Sequence, residues 1–121
     1  MERELIKRFA LLYKGLDVAY GTFDITGKQA NGKRKGIALL VRQKRTIATF
    51  ESHLNGEQGV AIIPINEQNA CWWGALDLDI YPLDHIVIVK AIHQQKLPLV
   101  VCRSKSGGGH IYLFLKEPVP A

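Results

Sequence analysis

Two short segments of this sequence carry residue types that do chemistry. Asp77-Leu78-Asp79 closes the apolar stretch Cys71-Trp72-Trp73-Gly74-Ala75-Leu76, and 27 residues after Asp79 comes Ser106-Gly107-Gly108-Gly109-His110. The apolar stretch reads as a buried strand ending at the acids. Strand side chains alternate faces, so Asp77 and Asp79 point the same way. Paired carboxylates repel unless a cation or a shared proton lies between them. A hard divalent cation, Mg²⁺ or Mn²⁺, takes oxygen ligands from one or two carboxylates and the rest from water and phosphate. The glycine run offers backbone N–H groups to such a phosphate, beside a serine hydroxyl and an imidazole. Together the segments point to nucleotide chemistry.

Each segment alone has a plainer reading. Two strand-end acids can face solvent or pair with basic residues. Three glycines suit a hairpin turn that needs positive φ. His110 would share a strand face with Tyr112 and Phe114, where it can cap an apolar layer. Arg103 and Lys105 flank the turn, as triphosphate-binding cations or as exposed loop charges. No Gly-Lys-Ser/Thr follows the glycines, which excludes a Walker-type phosphate loop. Phosphatases that use Asp-x-Asp place it near the chain start with Thr or Val after it, whereas Ile80 and Tyr81 follow here.

The elements that must position these groups can be read along the chain. Leu5, Ile6, Phe9, Leu12 and Tyr13 predict a helix over 2–14, ended by Gly15. A glycine-rich, basic stretch of turn formers follows over 21–36, then a strand over 37–41. Thr46 caps a helix through about Leu54, closed by Asn55-Gly56. A strand is expected at 60–65 and a turn at 66–69. After the acids, Asp84 is an N-cap for a helix to about Lys96, although Ile86, Val87, Ile88 and Val89 leave strand open there. Pro98 stops that element. Strands at 99–103 and 110–115 flank the glycine turn. Trp72 and Trp73 point to opposite strand faces, one in the core and the other there or stacked on a base. Cys71 and Cys102 read as buried apolar residues. The pattern is α+β, or an α/β sandwich.

The 121 residues suit one domain, with 47% hydrophobic and 22% charged residues, as in ordinary globular chains. No apolar run approaches a membrane span, so no membrane partner is expected. The amino terminus lacks a signal peptide's pattern, and two cysteines without zinc spacing fit a reduced, cytoplasmic protein. The net charge of +5 is uneven: Lys28, Lys33, Arg34, Lys35, Arg42, Lys44 and Arg45 lie close together. Such a cluster suits a polyanion, because cations bound to phosphates release counterions. It also suits a solvated loop.

The residues from Trp72 to Tyr81, then Leu97 to Phe114 with the Arg103-Ser104-Lys105-Ser106-Gly107-Gly108-Gly109-His110 turn and the Pro118-Val119-Pro120-Ala121 tail, resemble the archaeo-eukaryotic primase superfamily. The likeness is closest to the primase domains of TOTE conflict systems. It implies an α+β, primase-like fold with an amino-terminal α/β module over 1–70 and an incomplete RRM-like β-α-β-β module over 71–121. The family's third acidic motif and closing elements would lie beyond Ala121. By the same resemblance Asp77 and Asp79 are metal-binding carboxylates for Mg²⁺ or Mn²⁺. Ser106 and His110, with Arg103, Lys105 and Gly107–Gly109, would hold a nucleoside triphosphate. Asp77, Asp79 and His110 would be the catalytic residues, and the basic cluster itself suggests that Lys33, Arg34 and Lys35 contact a single-stranded or primed DNA template. The intact domain would be a primase/polymerase, a nucleotidyltransferase of mobile elements with helicase or nuclease modules as partners. The alternative is a catalytically incomplete module that binds nucleotide or single-stranded nucleic acid.

Overall fold

Apolar residues at helical spacing form α1 (Arg3–Leu12), whose Ile6 is the most deeply buried side chain of the described residues. The computed structural model describes residues 2–121. The other elements are β1 (Tyr20–Lys28), β2 (Arg34–Val41), α2 (Ile47–Leu54), β3 (Gly59–Ala61), β4 (Ala70–Leu78), α3 (His85–Gln94), β5 (Val100–Arg103) and β6 (Gly109–Pro120). They make an α+β architecture with two three-stranded sheets, ordered β2-β1-β3 and β4-β6-β5.

The chain divides into two compact units. The first takes the residues up to Thr26, then Gly36–Trp73 and Leu115–Ala121. Here α1 packs on α2, and α2 on β3. Phe9 and Phe50 meet edge-on with centroids 6.2 Å apart, and Tyr13 meets Trp73 at 5.4 Å. Phe50 and Trp73 are buried, and the Trp73 indole N–H donates to the Lys14 carbonyl at 2.9 Å. This satisfies the one polar atom that indole burial would strand. Helix α2 starts at Thr46, whose backbone N–H donates to Thr49 Oγ1 at 3.1 Å, and it closes at Asn55.

The second unit takes Gly27–Lys35 and Gly74–Phe114. Asp84 caps α3, its carboxylate accepting from the N–H groups of Ile86 and Val87 at 3.1 and 3.4 Å. The β-branched run therefore lies in a helix, and α3 packs on β5. β5 and β6 pair antiparallel, with Val101 opposite Ile111 and Arg103 opposite Gly109. Ile111 is buried, while His110, Tyr112 and Phe114 share the other face, the two aromatic rings stacked at 5.7 Å.

Some elements differ from the sequence reading. The glycine-rich stretch over 21–36 is a pair of long strands with a tight turn, not an extended loop. The strand expected at 60–65 keeps only Gly59–Ala61. β6 runs on through Pro118 and Pro120. Those prolines are tolerated because β5 pairs only with residues 109–112, leaving the later part of β6 clear of that ladder. Cys71 and Cys102 are half-buried free thiols rather than core residues.

Candidate functional site

The site begins at the end of β4. Asp77 is the next-to-last residue of the strand and Asp79 lies just past it. Both carboxylates are more than half exposed, at 69% and 53%. His110, the second residue of β6, brings its Nε2 to 3.4 Å from Asp77 Oδ1. Its Nδ1 lies 3.2 Å from the Tyr112 hydroxyl. An imidazole that donates from Nε2 toward Asp77 accepts that hydroxyl at Nδ1, so the strand neighbour fixes the tautomer and ring orientation.

The glycine turn lies directly on the backbone between the two acids. A Cβ placed on Gly108 would stand 2.4 Å from the Leu78 carbonyl oxygen, so only glycine permits this approach. Gly107 takes φ of +93°, the left-handed region that glycine adopts without strain. The turn is closed by three further bonds. The Gly107 N–H donates to Ser104 O at 3.1 Å, and the Ser104 N–H donates to Gly108 O at 3.0 Å. His85 Nε2 donates to the same Gly108 carbonyl at 2.7 Å. Inside the turn, Ser104 Oγ is buried without a hydrogen-bond partner.

A third segment enters from the tip of the β1–β2 hairpin. The Gln29 N–H donates to Lys33 O at 2.7 Å and the Gly32 N–H to Gln29 O at 3.0 Å, closing a tight turn. Asn31 Oδ1 accepts from the Lys33 N–H at 3.0 Å, the local side-chain bond that favours asparagine in turns. Lys33 Nζ then lies 3.0 Å from Asp79 Oδ2, and the Arg34 N–H donates to Ser106 Oγ at 2.8 Å. Adjacent residues of one turn thus hold one member of each motif.

The charges follow from these contacts. The Tyr81 hydroxyl donates to Asp79 Oδ1, and this bond, with that of Lys33, holds the Asp79 carboxyl below its ordinary range. The nearby Lys105 charge acts in the same direction. The bond to Asp79 holds the Lys33 ammonium above its usual value and does the same for the Tyr81 phenol.

The structure therefore gathers Asp77, Asp79, Ser106, the three glycines and His110, with Lys33 and the Arg34 backbone beside them. Arg103 ends β5 opposite Gly109, and Lys105 sits in the turn. The Arg103 guanidinium is on the turn's side, 3.9 Å from where a Gly107 Cβ would be. Sequence reasoning missed the Lys33–Asp79 pair, the Ser104 hydroxyl and the His85 bond to Gly108. Lys33 and Asp79 are 46 positions apart, and nothing local signals such a pairing. Among the described residues, no group of three or more His, Cys, Asp or Glu side chains is placed to hold a metal ion. None of the described helices is long and apolar enough to cross a membrane.

An acidic pair at a strand end is met by a glycine turn with serine and histidine on an α+β scaffold. The model of the TOTE conflict system, Archaeo-Eukaryotic Primase domain family matches residues 27–121, and the chain belongs to that family. No curated protein matches the sequence.

Proposed function

We propose that this chain is a nucleotide-binding module of the primase type, which seats a triphosphate on the turn formed by residues 103–110. The observation that carries this reading is the close approach of Gly108 to Leu78, which sets the turn's backbone against the strand end that carries Asp77 and Asp79. Ser106 Oγ accepts from Arg34, leaving its own proton to donate to a phosphate oxygen. Arg103 and Lys105 would add positive charge, and Arg34 and Lys35 on the hairpin would meet a nucleic-acid backbone. Isothermal titration with ATP tests the reading. Wild type should bind, and Ser106→Ala with His110→Ala should weaken binding by roughly tenfold or more, as loss of charge-assisted hydrogen bonds does. Equal affinity in the double variant would refute it.

A second reading, template-directed nucleotidyl transfer, is favoured by the family match and by the meeting of Asp77, Asp79 and His110. The donor set fits a divalent metal: two exposed carboxylates of hard oxygen, one already holding an ammonium as a stand-in cation. Asp77 and Asp79 would hold Mg²⁺ or Mn²⁺, with the remaining ligands from water and phosphate. Bound there, the ion would supply charge neutralisation of the triphosphate and a lowered pKa for the attacking 3′-hydroxyl. The protein's own part is to orient the triphosphate through the turn and to keep the His110 ring fixed through Tyr112. Primer extension with wild type and Asp77→Ala/Asp79→Ala tests this reading, since template-dependent incorporation by wild type alone supports transfer. Incorporation that survives the double substitution would refute it.

A further inference from the structure

The hairpin tip does more than carry positive charge. Its lysine is fixed at both main-chain ends, by Asn31 and Gln29, and its ammonium occupies Asp79 at 3.0 Å. The next residue is fixed as well, through Ser106. One oxygen of Asp79 takes Tyr81 and the other takes Lys33, so both are engaged. A divalent cation that takes Asp79 Oδ2 therefore competes with an ammonium already seated there. The displaced ammonium stays within the reach of its side chain from the turn, because the Arg34 N–H on Ser106 holds the hairpin backbone there. A cation released next to a triphosphate meets a stronger anion than the one it left.

We infer that Lys33 is a tethered exchange cation, which holds Asp79 until a divalent metal arrives and then pairs with the triphosphate. This inference rests on the metal and triphosphate placement above and adds a residue that the two Asp and Ser/His segments do not contain. Its consequence is an opposition of sign. Lys33 weakens metal binding when metal is alone and strengthens nucleotide binding when metal is present. A purely structural hairpin contact moves both affinities the same way, or neither.

Mn²⁺ binding, read by electron paramagnetic resonance of the free ion, and ATP binding in saturating Mn²⁺, read by calorimetry, separate these cases. Lys33→Gln removes the competing charge and should tighten Mn²⁺ binding roughly 2- to 5-fold, the range set by an exposed ion pair. Lys33→Glu adds a carboxylate and should tighten it further, while Lys33→Arg should stay near wild type. ATP affinity in Mn²⁺ should fall in Lys33→Gln and Lys33→Glu. Circular dichroism of each variant guards against misfolding, and the half-exposed Lys33 side chain leaves the turn's backbone bonds in place when it is changed. Mn²⁺ affinity that is unchanged or weaker in Lys33→Gln, with Asp79→Asn still abolishing binding, overturns the exchange role and leaves the metal site standing. Mn²⁺ binding that is absent from wild type, or survives Asp79→Asn, overturns the metal placement and the exchange role with it.

Discussion

The two units of this chain differ in how many large apolar side chains they bury. The first buries Ile6, Phe50 and Trp73 among Phe9 and Tyr13, an aromatic core edged by polar bonds such as Arg45 to Asp17 and Gln58 to Asp24. The second buries one large apolar side chain, Ile111, and leaves Leu76, Ile86 and Val87 exposed. Its order comes from specific polar bonds: Lys33 to Asp79, Arg34 to Ser106, His85 to Gly108 and Asp84 to the start of α3. Apolar burial is non-directional and stabilises wherever area is removed from water. Polar bonds contribute little net stability each but fix geometry. The first unit carries the larger apolar core, and the second brings the acids, the glycine turn and the hairpin tip together.

That contrast yields graded expectations. Phe50→Ala should cost about 3–5 kcal/mol, the toll of truncating a buried phenylalanine, and be read as a large fall in denaturation midpoint. Gly108→Ala should cost about 1–3 kcal/mol as overpacking against the Leu78 carbonyl, and it should also lift the turn off the acids and abolish ATP binding. If Gly108→Ala keeps wild-type ATP affinity, the turn's close approach is not what places the phosphate site. Asp84→Ala should cost about 1 kcal/mol through loss of the α3 cap, measured by urea denaturation, with no change in the first unit's near-ultraviolet aromatic signal.

The smallest effect is the pH response of the hairpin tip. Asp79 has a folded pKa below its unfolded one, so its contribution is full above the unfolded value and is lost as pH falls through the folded value. Lys33 has a raised folded pKa, so its contribution is full below its unfolded value and is lost only as pH rises through the folded one. The amide shifts of residues 31–34 should therefore be flat between about pH 5 and 9 and move only in stronger acid or base. A transition near neutrality in those amides would show that the tip is not held by this pair.

The legible and the illegible parts of the sequence divide along similar lines. Asp84 and Thr46 announced their helices, because a cap acts on neighbours two or three positions away. The Asp-x-Asp segment and the glycine turn were legible because each is local, and the order of the two carried the family resemblance. The β1–β2 hairpin was not. Gly21, Gly27, Gly32 and Gly36 with interspersed lysines look like loop, and the strands form because pairing across the hairpin and with β3 outweighs weak local preference. Lys33 stood in a basic cluster that read as a nucleic-acid surface. Only the fold shows that its ammonium lies on Asp79.

The most direct test of the central claim is paramagnetic broadening of backbone amides by Mn²⁺ with ATP. The acids and the glycine turn as one phosphate site predict broadening centred on residues 77–79 and 106–110, lost in Asp77→Asn/Asp79→Asn. Broadening centred elsewhere, or unchanged in that double variant, would contradict it.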